Sequence, residues 1–196
     1  MYKFFISLLF IAVISSQCKQ KNTKAIDTAV NDSTKFFPVN NFIQADIDDV
    51  IKTPYFIYKL TEYKPSGKKD SSVISREDFK SLANQFLQKN IATPELKYSY
   101  RETVFHDLST KSFTITYSAL NHGLPVQNVL ILLNDSTNKL NRVFILCSSN
   151  KTDSSVTEQL NWKAGKSFQI NRSIKRNDGS SVEEHNTVIW NDKPNN

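Results

Sequence analysis

The sequence has 196 residues, a formal net charge of +6, and four glycines against thirteen phenylalanines and seven tyrosines. A positive charge of this size is ordinary for keeping a protein in solution and does not argue for a nucleic-acid partner. So few glycines disfavour nucleotide-binding glycine loops and glycine-rich repeats, whereas abundant aromatic residues are typical of strands.

The N-terminal segment has the pattern of an export signal. Lys3 precedes an apolar run over residues 4–14 in which Ser7 is the one polar residue, and the run leads into the sequence SSQC, whose cysteine is Cys18. As a helix rising ~1.5 Å per residue, the run would span roughly 17 Å, well short of the ~30 Å hydrocarbon core of a bilayer. We therefore expect residues 1–17 to be a signal peptide and not a transmembrane span.

The boundary SSQC resembles the lipobox of bacterial lipoproteins, with Gln17 in place of the small residue that usually precedes the cysteine. In that family the cysteine thiol is acylated, the signal is cut just before the cysteine, and the new N-terminus is acylated as well. The resemblance implies that Cys18 becomes the lipidated first residue of the mature chain. Because two or more acyl chains attach a protein stably, the implied partner is a membrane.

The residues after the cysteine bear on which membrane surface is implied. In Gram-negative lipoproteins an aspartate after the cysteine commonly retains the protein in the inner membrane, and in Bacteroidota an acidic tract there favours display outside the cell. Here Lys19, Gln20 and Lys21 follow Cys18, which by resemblance implies the periplasmic face of the outer membrane. The chain as a whole resembles small uncharacterised envelope lipoproteins of Bacteroidota.

Residues 18–35 are predicted to be the lipidated cysteine and a flexible tether. The apolar residues after the cysteine are Ala25, Ile26, Ala29 and Val30. These are too few to bury a core, so the segment should not fold alone. We expect a single α+β domain over residues 36–192, followed by a short tail at residues 193–196.

A first helix is predicted near the start of this domain. Asn40 or Asn41 can cap it, and it should run to about Lys52, where Thr53 and Pro54 end it. Its apolar face consists of Ile43, Ile47, Val50 and Ile51. A strand ending at about residue 63 and a turn-rich loop then lead to the second helix.

The second helix has the clearest pattern in the chain. Ser75 is a good N-cap, and Asp78 stands in the position of a capping-box acid. The apolar stripe consists of Phe79, Leu82, Ala83, Phe86 and Leu87. This spacing places all five side chains on one face of a helix.

After residue 94 the pattern is typical of strands. Residues 113–119 alternate between apolar and polar side chains, as in a sheet with one solvent-facing side. The runs VQNVLILL and LNRVFILC are apolar on both faces and should lie inside the sheet, with the second helix across them. The turns between runs predict one strand before the second helix and about seven after it. The fold class is therefore α+β, with about two N-terminal helices packed on a long, curved antiparallel β-meander that is half-barrel-like and offers a concave face or cleft.

Candidate catalytic residues surround one histidine. His106 is followed by Asp107 and preceded by Glu102, and an imidazole oriented by a carboxylate is the minimal general base of a hydrolase. No serine stands in a strand-turn-helix elbow, so these three residues are weak candidates without a nucleophile. Cys147 lies in an apolar run and is predicted to be a small buried hydrophobic residue. The histidines show no metal-binding spacing, and we expect neither a metal nor another cofactor.

Two segments that look like ligand motifs have simpler interpretations. The sequence AGKS lacks the upstream glycine of a phosphate-binding loop, since Leu160 stands there, and Gly165 is interpreted as a hairpin turn residue. Asp46, Asp48 and Asp49 lack the glycine turn and closing glutamate of a calcium-binding loop. They are interpreted as a solvent-facing polar side of the first helix.

The functional hypotheses follow from the anchor, the tether and the missing nucleophile. Trp162 and Trp190 can stack on sugars or complete a core, and we favour the core while keeping both as weak ligand-binding candidates. The leading hypothesis is a non-catalytic, lipid-anchored cell-envelope lipoprotein that binds an envelope protein or an acyl-containing, apolar ligand through its sheet or cleft. The alternatives are a lipid-anchored hydrolase that uses His106 and a glycan-binding lipoprotein.

Overall fold

Two α-helices and nine strands account for most of residues 36–191, the part of the chain described by the structure, which is a computed structural model. The helices are α1 (Val39–Lys52) and α2 (Arg76–Leu87), and a 3₁₀ turn covers Pro94–Leu96. The strands are β1 (Tyr58–Lys64), β2 (Lys69–Val73), β3 (Tyr100–Asp107), β4 (Ser112–Ala119), β5 (Val126–Asn134), β6 (Leu140–Asn150), β7 (Ser154–Lys163), β8 (Ser167–Arg176) and β9 (Ser181–Ile189). The proposed signal peptide, Cys18, the tether and the C-terminal tail lie outside the described residues.

All nine strands form one antiparallel sheet in the order β2-β1-β9-β8-β7-β6-β5-β4-β3. Strands β3 to β9 follow one another as a meander. Strand β1 pairs with β9 from Tyr58↔Ile189 to Lys64↔Glu183, which joins the first strand to the last. The sheet is open, because β2 and β3 lie at its two edges. The predicted fold class, two helices on a half-barrel-like antiparallel meander, is confirmed.

The core lies between the helices and the side of the sheet that we call the inner face. Helix α1 buries Ile43, Ile47 and Val50, and α2 buries Phe79, Ala83 and Phe86. The ring of Phe86 lies 5.0 Å from that of Trp162, and the ring of Phe79 lies 5.3 Å from that of Trp190. Both tryptophans are buried, so the interpretation that they complete the core is confirmed.

The two helices begin differently. Ser75 caps α2 as predicted: its Oγ accepts a hydrogen bond from the Asp78 amide at 3.0 Å and donates one to Asp78 Oδ2 at 2.8 Å. Helix α1 begins after Pro38 without a side-chain cap. The prediction of an asparagine cap is wrong, because Asn40 lies inside the helix and donates its Nδ2 to the carbonyl of Leu87 at 3.0 Å. This bond joins α1 to the end of α2.

Two parts of the sheet differ from the prediction. Residues predicted as a loop form the edge strand β2, whose five residues are all exposed, so backbone pairing with β1 and not an apolar pattern defines it. Two strands therefore precede α2, not one. Strands β5 and β6 are internal as predicted, but α2 does not lie across them. Its aromatic rings pack on Trp162, Phe168 and Trp190. The outer face of β6 has no helix over it among residues 36–191, and Phe144 and Leu146 are exposed there.

Candidate functional site

The helices leave one end of the inner face uncovered, and this region forms a cleft of about 350 Å³. Its floor has two rows of side chains from neighbouring strands. One row is Cys147, Glu158 and Arg172, which are register partners across β6, β7 and β8. The next row is Ser149, Val156 and Ile174 on the same three strands. We call this region the cleft.

Other elements close the sides of the cleft. Pro125 comes from the connection between β4 and β5, Lys151 from the turn after β6, and Lys89 from the segment after α2. Helix α2 ends at Leu87, two residues before Lys89. Strands β6 to β8 are paired along almost their full length, so the floor is a continuous part of the sheet.

A carboxylate holds two cations at one end of the cleft. Glu158 Oε2 accepts a hydrogen bond from Lys89 Nζ at 2.8 Å, and its Oε1 accepts two from Arg172, from Nε at 2.9 Å and from Nη2 at 2.6 Å. Burial acts to raise the pKa of Glu158, but the hydrogen bonds and charges of Lys89 and Arg172 outweigh it and lower the pKa. Glu158 is therefore ionised at neutral pH. Together with Lys151, the two cations give the cleft three positive charges against the one negative charge of Glu158.

Cys147 is a structural part of this floor and not a nucleophile. Its side chain is buried, and burial raises the pKa of the thiol to about 11. The protonated thiol is the form present at neutral pH, and it reacts slowly because the thiolate is the nucleophile. The geometry thus agrees with the role predicted from the apolar run around it.

The three weak catalytic candidates do not meet. His106 and Asp107 are successive strand residues and point to opposite faces of the sheet, whereas Glu102 lies four residues from His106, roughly 13 Å along the strand. The partner of His106 is Asp135, whose Oδ2 lies 3.3 Å from His106 Nε2. The imidazole also stacks on Phe113, with ring centroids 4.1 Å apart. The expected pairing of His106 with Asp107 or Glu102 is therefore wrong, because strand alternation turns Asp107 to the other face and the length of the strand separates Glu102 from His106.

The two carboxylates instead have structural partners. Asp107 accepts hydrogen bonds from Ser109 Oγ at 2.6 Å and from Thr110 Oγ1 at 2.8 Å, and these bonds lower its pKa to about 2. Glu102 accepts a hydrogen bond from the hydroxyl of Tyr117, whose pKa is raised by burial and by this carboxylate. Both residues stabilise local structure at the β3–β4 end of the sheet.

The acidic segment of α1 also has a structural role that the sequence did not indicate. Asp46 Oδ2 accepts hydrogen bonds from Trp162 Nε1 at 2.7 Å and from the Gly165 amide at 2.8 Å. The prediction that Asp46 faces solvent is wrong, since the hairpin between β7 and β8 reaches it. Gly165 has a φ of +67°, as expected for a hairpin turn residue.

The charged cluster of the cleft was missed from the sequence, although a signal was present. Glu158 shares a strand face with the buried residues Leu160 and Trp162. Arg172 likewise follows the inward positions of Phe168 and Ile170. Two opposite charges at inward positions of adjacent strands indicate a partly buried ion pair. The third member, Lys89, lies too far along the chain for its contact to be predicted from spacing.

Other kinds of site are not found in residues 36–191. No three histidine, cysteine, aspartate or glutamate side chains in this part of the chain lie close enough to hold a metal ion. No helix within the same residues is long and apolar enough to cross a membrane. No protein-family model matches the chain, and no curated protein matches it either.

Proposed function

We propose that the chain is a non-catalytic, lipid-anchored cell-envelope lipoprotein that binds an acyl-containing ligand in the cleft. The cleft is the observation that carries this proposal. Its volume of about 350 Å³ lies within the ~300 to 1,000 Å³ of small-molecule sites. It combines apolar side chains, among them Cys147, Val156 and Ile174, with a few charged groups. Such a lining suits a ligand with an apolar chain and a polar head.

The N-terminal sequence supports the anchored part of the proposal. The lipobox-like boundary at Cys18 implies acylation, and Lys19, Gln20 and Lys21 favour the periplasmic face of the outer membrane. A tether over residues 19–35 would hold the domain near a surface from which acyl-containing molecules leave and to which they return. A binding domain at this place therefore has its ligand class close by.

The hydrolase alternative has less support. His106 and Asp135 form an oriented imidazole, but the thiol of Cys147 lies on β6, three strands from β3 and roughly 14 Å across the sheet. This distance is too great for a proton transfer between the two side chains. Glycan binding through Trp162 or Trp190 also has less support, since both rings are buried against Phe168.

A protein partner is the second candidate ligand, and the outer face of the sheet favours it. Leu130 and Phe144 are register partners on β5 and β6, and Leu132 and Leu146 lie beside them on the same face. Phe144 and Leu146 are exposed. Exposed apolar side chains that adjoin one another are typical of interaction surfaces.

The anchor is tested by membrane fractionation. In bacterial cells Cys18→Ala should move the protein from the membrane pellet to the soluble fraction, because the thiol that carries the lipid is removed. The matched control Cys147→Ala removes the other cysteine of the chain and should leave the protein in the pellet. A Cys18→Ala variant that still sediments with membranes through its N-terminus would contradict the proposed anchor.

The binding function is tested with simple amphiphiles. The Cys18→Ala chain should bind both decanoate and decanol, each added methylene tightening the Kd roughly fourfold until the cleft is full. Ile174→Trp fills the cleft and should abolish binding. The control Lys175→Trp places the same ring on the opposite face of β8 and should have no effect. If neither amphiphile binds, the proposed function is wrong.

A further inference from the structure

The cleft has more positive charge than its own carboxylate can balance. Glu158 neutralises one of the two cations that it holds, Lys89 and Arg172. Lys151 adds a third cation, and within residues 36–191 its ammonium group has no hydrogen-bond or ion-pair partner. Glu184 lies next to Arg172 in the register of β8 and β9, but it accepts a hydrogen bond from Asn186 Nδ2 at 2.7 Å and does not line the cleft.

The apolar row of the cleft lies between charged groups. Val156 and Ile174 lie together in one row of the floor, while Glu158 and Arg172 lie together in the row beside it. Lys89 joins the row of Glu158 and Arg172, whereas Lys151 lies two residues after Ser149, beyond the apolar row. A ligand that spans the cleft would thus meet Lys151 at one end, apolar side chains next to it, and the ion-paired cluster of Glu158 at the other end.

We propose, on the basis of the proposed function, that the ligand is an anionic amphiphile, an acyl chain whose head group carries a negative charge. The head group lies at Lys151, and the chain lies along Val156 and Ile174. An anion adds charge-assisted hydrogen bonds to the ammonium group of Lys151, which has three N–H donors and no partner within residues 36–191. A cationic head group would be repelled by the same side chain. The anion can be the carboxylate of a free fatty acid or the phosphate of a lipid head group.

The test compares four ten-carbon amphiphiles on the full chain carrying Cys18→Ala: decanoate, decyl phosphate, decanol and decyltrimethylammonium. At low ionic strength decanoate should bind roughly tenfold more tightly than decanol, and decyltrimethylammonium should bind more weakly than decanol. Added salt should weaken decanoate binding and leave decanol binding unchanged. Equal binding of decanoate and decanol would overturn the proposal for the head group and leave the acyl-binding function standing. Binding of neither would overturn both.

Two variants and one chemical probe test whether the tighter binding of decanoate arises in the cleft. Lys151→Gln lies in an exposed turn and should weaken decanoate binding roughly fivefold without changing decanol binding. The control Lys175→Gln removes one positive charge as well, but on the outer face of β8. It should change neither decanoate binding nor decanol binding. Bound decanoate should also slow the reaction of Cys147 with iodoacetamide, since this thiol lines the cleft. An unchanged reaction rate at saturating decanoate, or equal losses in both variants, would place the anion elsewhere and overturn the proposal.

The decyl phosphate arm distinguishes the two sources of negative charge. Tighter binding of decyl phosphate than of decanoate supports an anionic ligand and identifies a phosphate head group. Tighter binding of decanoate supports it and identifies a carboxylate. Binding of decyl phosphate no tighter than decanol, together with weak decanoate binding, counts against the proposal.

Discussion

Asp46 illustrates how one side chain fixes the position of a whole helix on the sheet. Its carboxylate accepts hydrogen bonds from Trp162 Nε1 and from the Gly165 amide, so it joins α1 to the hairpin between β7 and β8. The ring of Trp162 is fully buried, and its N–H group would otherwise be removed from water without a partner. By contrast, the buried Nε1 of Trp190 has no hydrogen-bond partner within residues 36–191.

We predict that Asp46→Ala lowers the free energy of unfolding by about 1.5 to 3 kcal/mol, because two donors lose a charged acceptor. The matched control is Asp48→Ala on the same helix. Asp48 accepts one exposed hydrogen bond, from Gln44 Nε2 at 2.8 Å, and its loss should cost only ~0.2 to 0.5 kcal/mol. Chemical denaturation of both variants measures the two values. Equal losses would show that the bonds of Asp46 contribute no more than a solvent-exposed pair.

Single-residue roles were only partly predictable from the sequence. Asp46 is three residues after Ile43 and four before Val50, so helical spacing alone places it beside the buried face. Its partners belong to a hairpin more than a hundred residues away, and no local pattern indicates them. The partner of His106 was missed for the same reason, since Asp135 comes from the turn after β5.

At the scale of elements, α2 was the best predicted part of the chain. Its cap and its apolar stripe are local features that depend on spacings of three and four residues, and Phe79, Ala83 and Phe86 are all buried. Its position over the sheet was not predicted correctly. The helix packs on Trp162, Phe168 and Trp190, because large rings on β7, on β8 and directly after β9 form one aromatic cluster with Phe79 and Phe86.

We predict that Phe86→Ala lowers the free energy of unfolding by about 3 to 5 kcal/mol, through lost apolar burial and the cavity that remains. The side chain is fully buried, with its ring 5.4 Å from that of Phe168. The control Phe105→Ala removes a phenyl ring that is 51% exposed on the edge strand β3 and should cost far less. Equilibrium unfolding measures both variants. A small loss for Phe86→Ala, combined with weaker decanoate binding, would identify α2 as a mobile lid over the cleft.

At the scale of the whole molecule, the alternation of apolar and polar residues was sufficient to predict the class of fold and the order of the meander. The same alternation did not predict the pairing of β1 with β9. More than a hundred residues separate the two strands, and many other strands would match their pattern equally well. A concave face or cleft was predicted from the curved meander, but the position and lining of the cleft were not. Its position depends on where α2 stops covering the inner face, which is a result of packing and not of any one segment.

Two phenylalanines pack the first described residues of the chain against the sheet. The ring of Phe36 lies 5.1 Å from that of Tyr117 and 6.3 Å from that of Tyr100. The amide of Phe37 donates a hydrogen bond to the Tyr117 hydroxyl at 3.0 Å. These contacts hold the start of the domain against β3 and β4. The residues before them, 19–35, have few apolar side chains with which to offset the entropy of ordering.

We therefore predict that a chain beginning at Phe36 unfolds at nearly the same temperature as one beginning at Lys19. A chain beginning at Val39 lacks Phe36 and Phe37 and should unfold at least ~5 °C lower, since each lost kcal/mol shifts the Tm of a domain this size by ~2 to 4 °C. Scanning calorimetry of the three chains compares the transitions directly, with the Val39 chain as the control for sensitivity. A large drop between the Lys19 and Phe36 chains would show that the tether packs on the domain, and the boundary would then move toward Cys18.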